Sequence, residues 1–342
     1  MEKAISQKDV AKIIGVSTAT VSNAFNRPDQ LSTELRQRVL SECAKLGYSG
    51  PHFAARSLRS GRSDVVCVML SDALSYSFSD PMANLLLEGI SDVLAENQKQ
   101  MLLMSSTISS DAQIRAESLP DGFIFYGTPR GSSFDRILSL GKPCVTVDFT
   151  YKNLPSLNVD NYGACCELAK AAIRDKNDLV AVIGMRFLTA SSIKRLSKQD
   201  MSLPSKEITW SRLLGFKAGA SDKGVEIVSD NIIHLHRNKP KEAEIAARLL
   251  LMQEQRPNLI LCMSDVIALA VCRVAQQLNI RIPEDLRVTG FDDIDEARHA
   301  KEGLTTVFQN GIEKGREAAT MLLEGVTEHR KMPVELRLRG TH

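Results

Sequence analysis

The sequence predicts a small all-α helix-turn-helix headpiece followed by an α/β body built on parallel sheets. Three observations carry that reading. Two short, capped helical segments meet at a Gly-containing turn within the first 26 residues. From Asp64 onward, apolar runs alternate with amphipathic stretches. Charge is unevenly shared: residues 1–63 carry a net +5 and the remainder −3, in a chain whose total is only +2. A basic head on a slightly acidic body points to a polyanion met by the head alone.

In the head, Ser6 and Asp9 stand at capping-box spacing ahead of the apolar face formed by Val10, Ile13 and Ile14. Gly15 follows, where a positive φ costs least. Ser17 can cap a second helix over 18–26, and Ser32 a third over 33–46 that ends at Gly47. The second helix begins with small polar residues (Thr18, Ala19, Thr20, Ser22 and Asn23), as a helix lying in a major groove requires. Taken alone, this spacing fits a solvated helix on a three-helix core equally well.

In the body, strands are expected at 65–70, 101–105, 122–126, 144–147, 180–184, 232–235, 259–263 and 287–291. Amphipathic segments lie between them at 82–96, 163–174, 242–254 and 265–278. Parallel sheets bind ligands beyond the carboxyl ends of their strands. That places Ser71, Asp72, Tyr126, Asp148, Ser264, Asp265, Asp292 and Asp293 among the candidates, although Asp265 can equally cap a helix and Asp292 end a strand.

Composition narrows the class. At 342 residues the chain needs more than one core, and 43% apolar with 25% charged residues describes a globular protein. No run of about 18 apolar residues predicts a membrane span. The N-terminus lacks the apolar core of a signal peptide, so a cytoplasmic, nucleoid-associated location is expected. Seven cysteines without a C-x-x-C pair predict neither a disulfide nor a zinc framework. His234 and His236 share a strand face without a third ligand, which suits a solvated strand end better than a metal. There is no G-x-G-x-x-G turn, P-loop or nucleophile–base set, so no cofactor, metal or catalytic activity is expected.

Ordered matches then connect the two parts. The head carries Lys8-Asp9-Val10-Ala11, Gly15-Val16-Ser17, Ala19-Thr20-Val21-Ser22, Leu46-Gly47-Tyr48 and Ala54-Ala55-Arg56-Ser57-Leu58-Arg59. The body adds Val159-Asp160-Asn161-Tyr162-Gly163, Ser264-Asp265-Val266-Ile267-Ala268, Ile282-Pro283-Glu284-Asp285 and Gly290-Phe291-Asp292-Asp293. Along essentially the whole chain the sequence resembles the lactose-repressor (LacI/GalR) family of bacterial transcriptional regulators.

The resemblance implies a headpiece at 1–50, a hinge helix or linker at 51–63, and a periplasmic-binding-protein-like core at 64–342. The core would be two doubly wound parallel-sheet lobes, about 64–160 with 309–328 and about 161–308 with 329–342. It also implies a homodimer on a pseudo-palindromic operator in double-stranded DNA, acting as a repressor. A small effector (sugar, sugar derivative or nucleoside) would lie between the lobes. A transport-type sugar-binding protein of the same core is the alternative, and the headpiece counts against it.

By match, DNA would be met by Ser17, Thr18, Ala19, Thr20, Ser22, Asn23 and Asn26, and in the hinge by Arg56 and Leu58. The leucine would wedge between central base pairs. The effector would be met by Phe78, Asp80, Tyr126, Asp148, Arg212, Ser264 and Asp292. Several positions depart from the family pattern. Asn23 replaces the commoner Arg, so adenine rather than guanine is the expected partner. His52 and Ser264 replace the more usual polar residue and Asn. The first cleft loop reads Tyr76-Ser77-Phe78-Ser79-Asp80-Pro81. A longer interval from Gly184 to Arg212, basic with Lys194, Arg195, Lys198 and Lys206, is expected to border the cleft mouth. Within it, Trp210 suits either ligand stacking or core packing.

Overall fold

The computed structural model describes residues 5–50, 62–108, 110–202 and 207–342. The chain divides after Asp64 into two compact units. The hinge expectations at His52, Arg56 and Leu58, and Lys206 of the basic interval, lie outside the described residues.

The first unit holds three helices: α1 (Gln7–Ile14), α2 (Thr18–Asn26) and α3 (Thr33–Lys45). Their starts follow the expected caps. Ser6 Oγ accepts the Asp9 amide while the Asp9 carboxylate accepts the Ser6 amide, both at 3.3 Å. Ser17 Oγ accepts the Thr20 amide at 2.9 Å, and Ser32 Oγ that of Leu35 at 3.3 Å. Gly15 ends α1 at φ 75°. The inward faces meet in one core of Val10, Ala11, Ile14, Val21, Ala24, Val39, Cys43 and Tyr48. Two basic side chains lace the unit: Arg36 donates to the Ala24 carbonyl at 3.1 Å and Arg38 to that of Ile14 at 3.3 Å.

In the second unit the elements run β1 (Val65–Leu70), α4 (Leu74–Ser77), α5 (Pro81–Glu96), β2 (Gln100–Ser105), α6 (Asp111–Glu117), β3 (Gly122–Tyr126), α7 (Ser133–Ser139), β4 (Cys144–Val147) and β5 (Ser156–Val159). They continue with α8 (Asn161–Ala172), β6 (Val180–Gly184), β7 (Lys194–Arg195), α9 (Ile208–Asp222), β8 (Ile232–His234), α10 (Pro240–Leu251), β9 (Leu259–Cys262), α11 (Asp265–Gln277) and β10 (Arg287–Thr289). The last are α12 (Asp295–Arg298), β11 (Thr306–Phe308), α13 (Gly311–Glu324), β12 (His329–Met332) and β13 (Glu335–Arg337).

These form a parallel sheet in the order β12-β5-β4-β3-β1-β2 and a second in the order β10-β9-β6-β8-β7, parallel except for β7. A two-stranded ribbon pairs β11 with β13. Alternation along β1 shows how the sequence fills both faces. Val66, Val68 and Leu70 enter one core with Leu86, Ile90 and Met321, while Cys67 and Met69 enter another with Phe123, Phe125 and Ile137.

The chain leaves the first sheet after β5, builds the second, and returns through β11 and α13. This return corrects one expectation: residues 329–332 belong to the first sheet, where β12 pairs with β5, and not to the second lobe. An edge strand tolerates polar residues, so His329-Arg330-Lys331-Met332 carries no apolar run to announce it.

Candidate DNA-reading face and effector cleft

On α2, Ser17, Thr18, Ala19 and Asn26 are exposed, and Thr20 and Asn23 partly so. Several of their polar groups are already occupied. Ser17 is the cap, Thr20 Oγ1 lies 2.8 Å from Ser17 Oγ, and Asn26 Nδ2 donates to the Ser22 carbonyl at 3.0 Å. Ser22 is buried, 8% exposed, and faces the helix packing. Its expected base contact is corrected accordingly. Thr18, Ala19 and Asn23 are left as a small, open face at the helix start.

In the second unit a cavity of about 550 Å³ opens at the carboxyl ends of β1, β3 and β4. It gathers Asp80, Tyr126 and Asp148 of the expected set, with Ser71, Asp72 and Thr107 beside them. The basic interval also reaches it: Arg186, Glu207, Ile208 and Thr209 line the wall, joined by His236, Arg237, Asn238 and Lys239.

Each carboxylate here has a defined environment. Asp80 caps α5 by accepting the Met82 amide at 3.0 Å, and burial raises its pKa. Asp148 adopts φ 64° just past β4 and accepts Lys314 Nζ at 3.0 and 3.2 Å. Burial also lifts Tyr126 well above the usual phenol range, with Asp148 adding to the effect.

Arg212, Ser264 and Asp292 are buried and do not line that cavity. Arg212 donates Nε to Asn161 Oδ1 at 2.8 Å and Nη1 to the Met263 carbonyl at 2.5 Å, with its guanidinium 3.6 Å above the Phe291 ring centre. Asp292, at φ 122°, lies 3.9 Å from Arg212 Nη1 and accepts Gln309 Nε2 at 2.6 Å. Burial pushes its pKa up to about 7, against the opposing pull of Arg212. Ser264 caps α11 by accepting the Ile267 amide at 3.3 Å and donates to Asn238 Oδ1 at 2.7 Å. Asp265 is wholly buried, holding Thr306 Oγ1 at 2.6 Å and the Ile294 amide at 2.9 Å.

Two expectations, at Phe78 and His234, need correction, and at Trp210 an open choice is resolved. Phe78 is 59% exposed and outside the cavity; its neighbour Tyr76 lines it instead. The four-residue α4 turns the chain between them, a device too short to show periodicity. Trp210 is core, 5% exposed and edge-on to Phe187 at 5.3 Å. His234 is fully buried, not a solvated strand end: its Nδ1 accepts the Phe187 amide at 3.0 Å and Nε2 lies 3.2 Å from the Ala190 carbonyl, pinning the start of the basic interval.

Among the described residues no group of His, Cys, Asp and Glu has the arrangement of a metal site, and no helix is long and apolar enough to cross a membrane. The residues that sequence reasoning missed are Tyr76, Asn161, Gln309 and Lys314. The first shares a loop with Phe78. Lys314 sits in the first turn of α13, and a lysine on a helix normally signals a solvated face.

Comparison with known proteins finds a family match in each part of the chain. The profile described as bacterial regulatory proteins, lacI family, matches residues 6–50, and that of a periplasmic binding protein-like domain matches residues 199–342. An HTH-type transcriptional regulator of Mycobacterium tuberculosis is 30% identical over 323 residues, covering 92% of this chain and 89% of that protein. Two solved structures share the fold. The lac repressor dimer bound to operator and the anti-inducer ONPF has a TM-score of 0.73 at 18% identity, with 99% of each chain covered. A complex of the transcriptional regulator CelR with cellobiose has a TM-score of 0.68 at 22% identity, covering 99% of this chain and all of that one. A basic helix-turn-helix unit followed by a two-sheet body, with a relative of this identity along its length, places the chain: it belongs to the lacI family of bacterial regulatory proteins and is a DNA-binding transcriptional regulator.

Proposed function

We propose that the chain is a non-enzymatic repressor whose operator affinity is set by a neutral, hydroxyl-rich effector, a sugar, sugar derivative or nucleoside, held at the cavity described above. The observation that carries this reading is the cavity itself. A volume of about 550 Å³ at strand carboxyl ends, walled by Asp80, Tyr126 and Asp148, suits a ligand dense in hydrogen-bond donors and acceptors. Asp292 and Arg212 lie behind that wall and would complete the site on a shift of the second sheet against the first. The cellobiose held by a regulator of the same fold is a ligand of this class.

On DNA, Thr18, Ala19 and Asn23 would face base edges, while Ser17, Thr20 and Asn26 support the helix that carries them. Arg56 and Leu58 would contribute the minor-groove contacts of a paired hinge. Two copies on a two-fold axis would read the two half-sites of a pseudo-palindrome.

The test begins with selection of the preferred operator from random duplexes by the full-length protein. A thermal-shift screen of sugars, polyols and nucleosides then supplies the ligand. The expected result is a ligand that raises Tm, changes operator affinity at least fivefold, and loses both effects in Asp148→Asn. A ligand that raises Tm equally in Asp148→Asn would place its site elsewhere.

A further inference from the structure

Asp148 in the cavity lining and the buried Asp292 outside it, one on each sheet, are joined by two side chains outside the expected site. Asp148 follows β4 of the first sheet and Asp292 follows β10 of the second. Lys314 of α13, 1% exposed, donates to both Asp148 oxygens and, at 2.5 Å, to Gln309 Oε1. Gln309 in turn donates Nε2 to Asp292 Oδ1 at 2.6 Å. The ammonium has three N–H groups, and three acceptor oxygens surround it.

Attachment of α13 does not require this arrangement. Ala318, Ala319, Met321 and Leu322 already bury the helix against the first sheet, and an apolar residue at position 314 would avoid the desolvation of an ammonium. What Lys314 does achieve is local to the cleft. It neutralises Asp148 from behind, and a carboxylate has about four lone-pair sites, so acceptor capacity remains on the cavity side. It also fixes which way the Gln309 amide points, since Oε1 must face the ammonium and Nε2 then faces Asp292.

We propose that Lys314 is a positioning residue for effector recognition. It holds Asp148 in place at the cavity wall, and through Gln309 it ties the carboxylates of the two sheets together. The inference rests on the reading that the cavity holds the effector.

The groups facing Asp148 define the test. Besides Lys314, the titratable and charged groups lining the cavity with Asp148 are Asp72, Tyr76, Asp80, Tyr126, Arg130, Arg186, Glu207, His236, Arg237 and Lys239, while Asp292 and Arg212 are buried outside its lining. In Lys314→Met the carboxyl would lose the cation bonded to it, with Arg130, Arg186, Arg237 and Lys239 of the cavity lining and the buried Arg212 as the remaining cations. Loss of that cation favours the neutral carboxyl over the carboxylate, the more so as pH falls, and the neutral form accepts hydroxyl donors poorly.

Full-length wild type and Lys314→Met are titrated with ribose, cellobiose and uridine at intervals from pH 6 to 8.5. For whichever probe binds the wild type, the variant should be at least tenfold weaker at pH 6 and approach wild-type affinity by pH 8.5. A loss independent of pH, or no loss, overturns the proposal. Should Lys314→Met fail to fold, Lys314→Met/Asp148→Asn removes both charges together. It should fold, bind at least tenfold more weakly than wild type, and show no change of its ratio to wild type with pH; wild-type affinity in it also overturns the proposal. If none of the three probes binds the wild type, the cavity reading fails and carries this inference with it. A probe that binds but shows no pH effect in Lys314→Met removes this inference alone.

Discussion

Thr18, Ala19 and Asn23 lie open at the start of α2 while Val21, Ser22 and Ala24 are turned inward. On the proposed docking, base choice in the major groove would rest on these few side chains, of which Asn23 is the longest. Asn pairs with adenine N6 and N7, whereas Arg pairs with guanine O6 and N7. Operator selection on wild type and Asn23→Arg should accordingly return adenine and guanine at one symmetric pair of positions. The expected discrimination is about 1–3 kcal/mol per half-site. The same base from both proteins would show that Asn23 does not read it.

Asp292 offers a second residue-scale prediction. Its folded-state pKa of about 7 lies above the ordinary carboxylate value, so the folded protein holds this proton more tightly than the unfolded chain. The stability linked to that proton is complete at acidic pH and is lost as pH rises through about 7. Asp292→Asn removes the titration, so its Tm relative to wild type should rise between pH 5 and pH 8. A difference that stays constant across this range would show that Asp292 keeps its charge when buried. At this scale Tyr126 and Asp148 were legible because strand ends can be read and polar residues there are conspicuous, whereas Asp80, a helix cap, was reached through the family resemblance. Lys314 and Gln309 were not legible, since Lys314 meets Asp148 across 166 residues and Gln309 meets Asp292 across 17, pairings that no local pattern announces.

At the scale of elements, the closest approach is between α5 and α13. A Cβ on Gly89 would lie 1.9 Å from the Ile312 carbonyl oxygen, and one on Gly315 would lie 2.1 Å from that of Leu86. Both obstacles are backbone, so the helices would have to separate. Gly315→Ala should cost about 3 kcal/mol, more than the usual overpacking penalty, in denaturant unfolding. Because α13 carries Lys314, the same variant should weaken ligand binding as well. A neutral Gly315→Ala would mean that the two helices are less tightly joined than these distances indicate.

The elements that could be read in advance are those with a strong period: the three headpiece helices, the buried strands and the long helix 81–96. The ones missed have physical reasons. α9 is apolar on most sides because it packs between α8 and the second sheet, so it shows little amphipathic contrast. α13 begins after Asn310 in a left-handed conformation and contains Gly315, both of which read locally as turn. β7 has only Lys194 and Arg195, whose side chains are held by Asp200 and by Gln253.

At the scale of the whole molecule, charge and chemistry are divided between two units with separate cores. The net +5 of residues 1–63 makes phosphate contact the main source of affinity. Raising salt from about 50 to about 200 mM should weaken operator binding roughly a thousandfold, while ligand binding to the cavity changes little. An equal salt effect on both would indicate that the cavity, too, binds an anion. The body has its own cores on both faces of each sheet, so it should remain folded without the headpiece.

That independence permits the most direct test of the two-unit account. Residues 65–342 and the full chain are compared for binding to the selected operator and for ligand-induced rise in Tm. The account predicts that the shorter chain loses operator binding by at least a hundredfold and retains the ligand-induced rise. Specific operator binding by residues 65–342, at the affinity of the full chain, would contradict it.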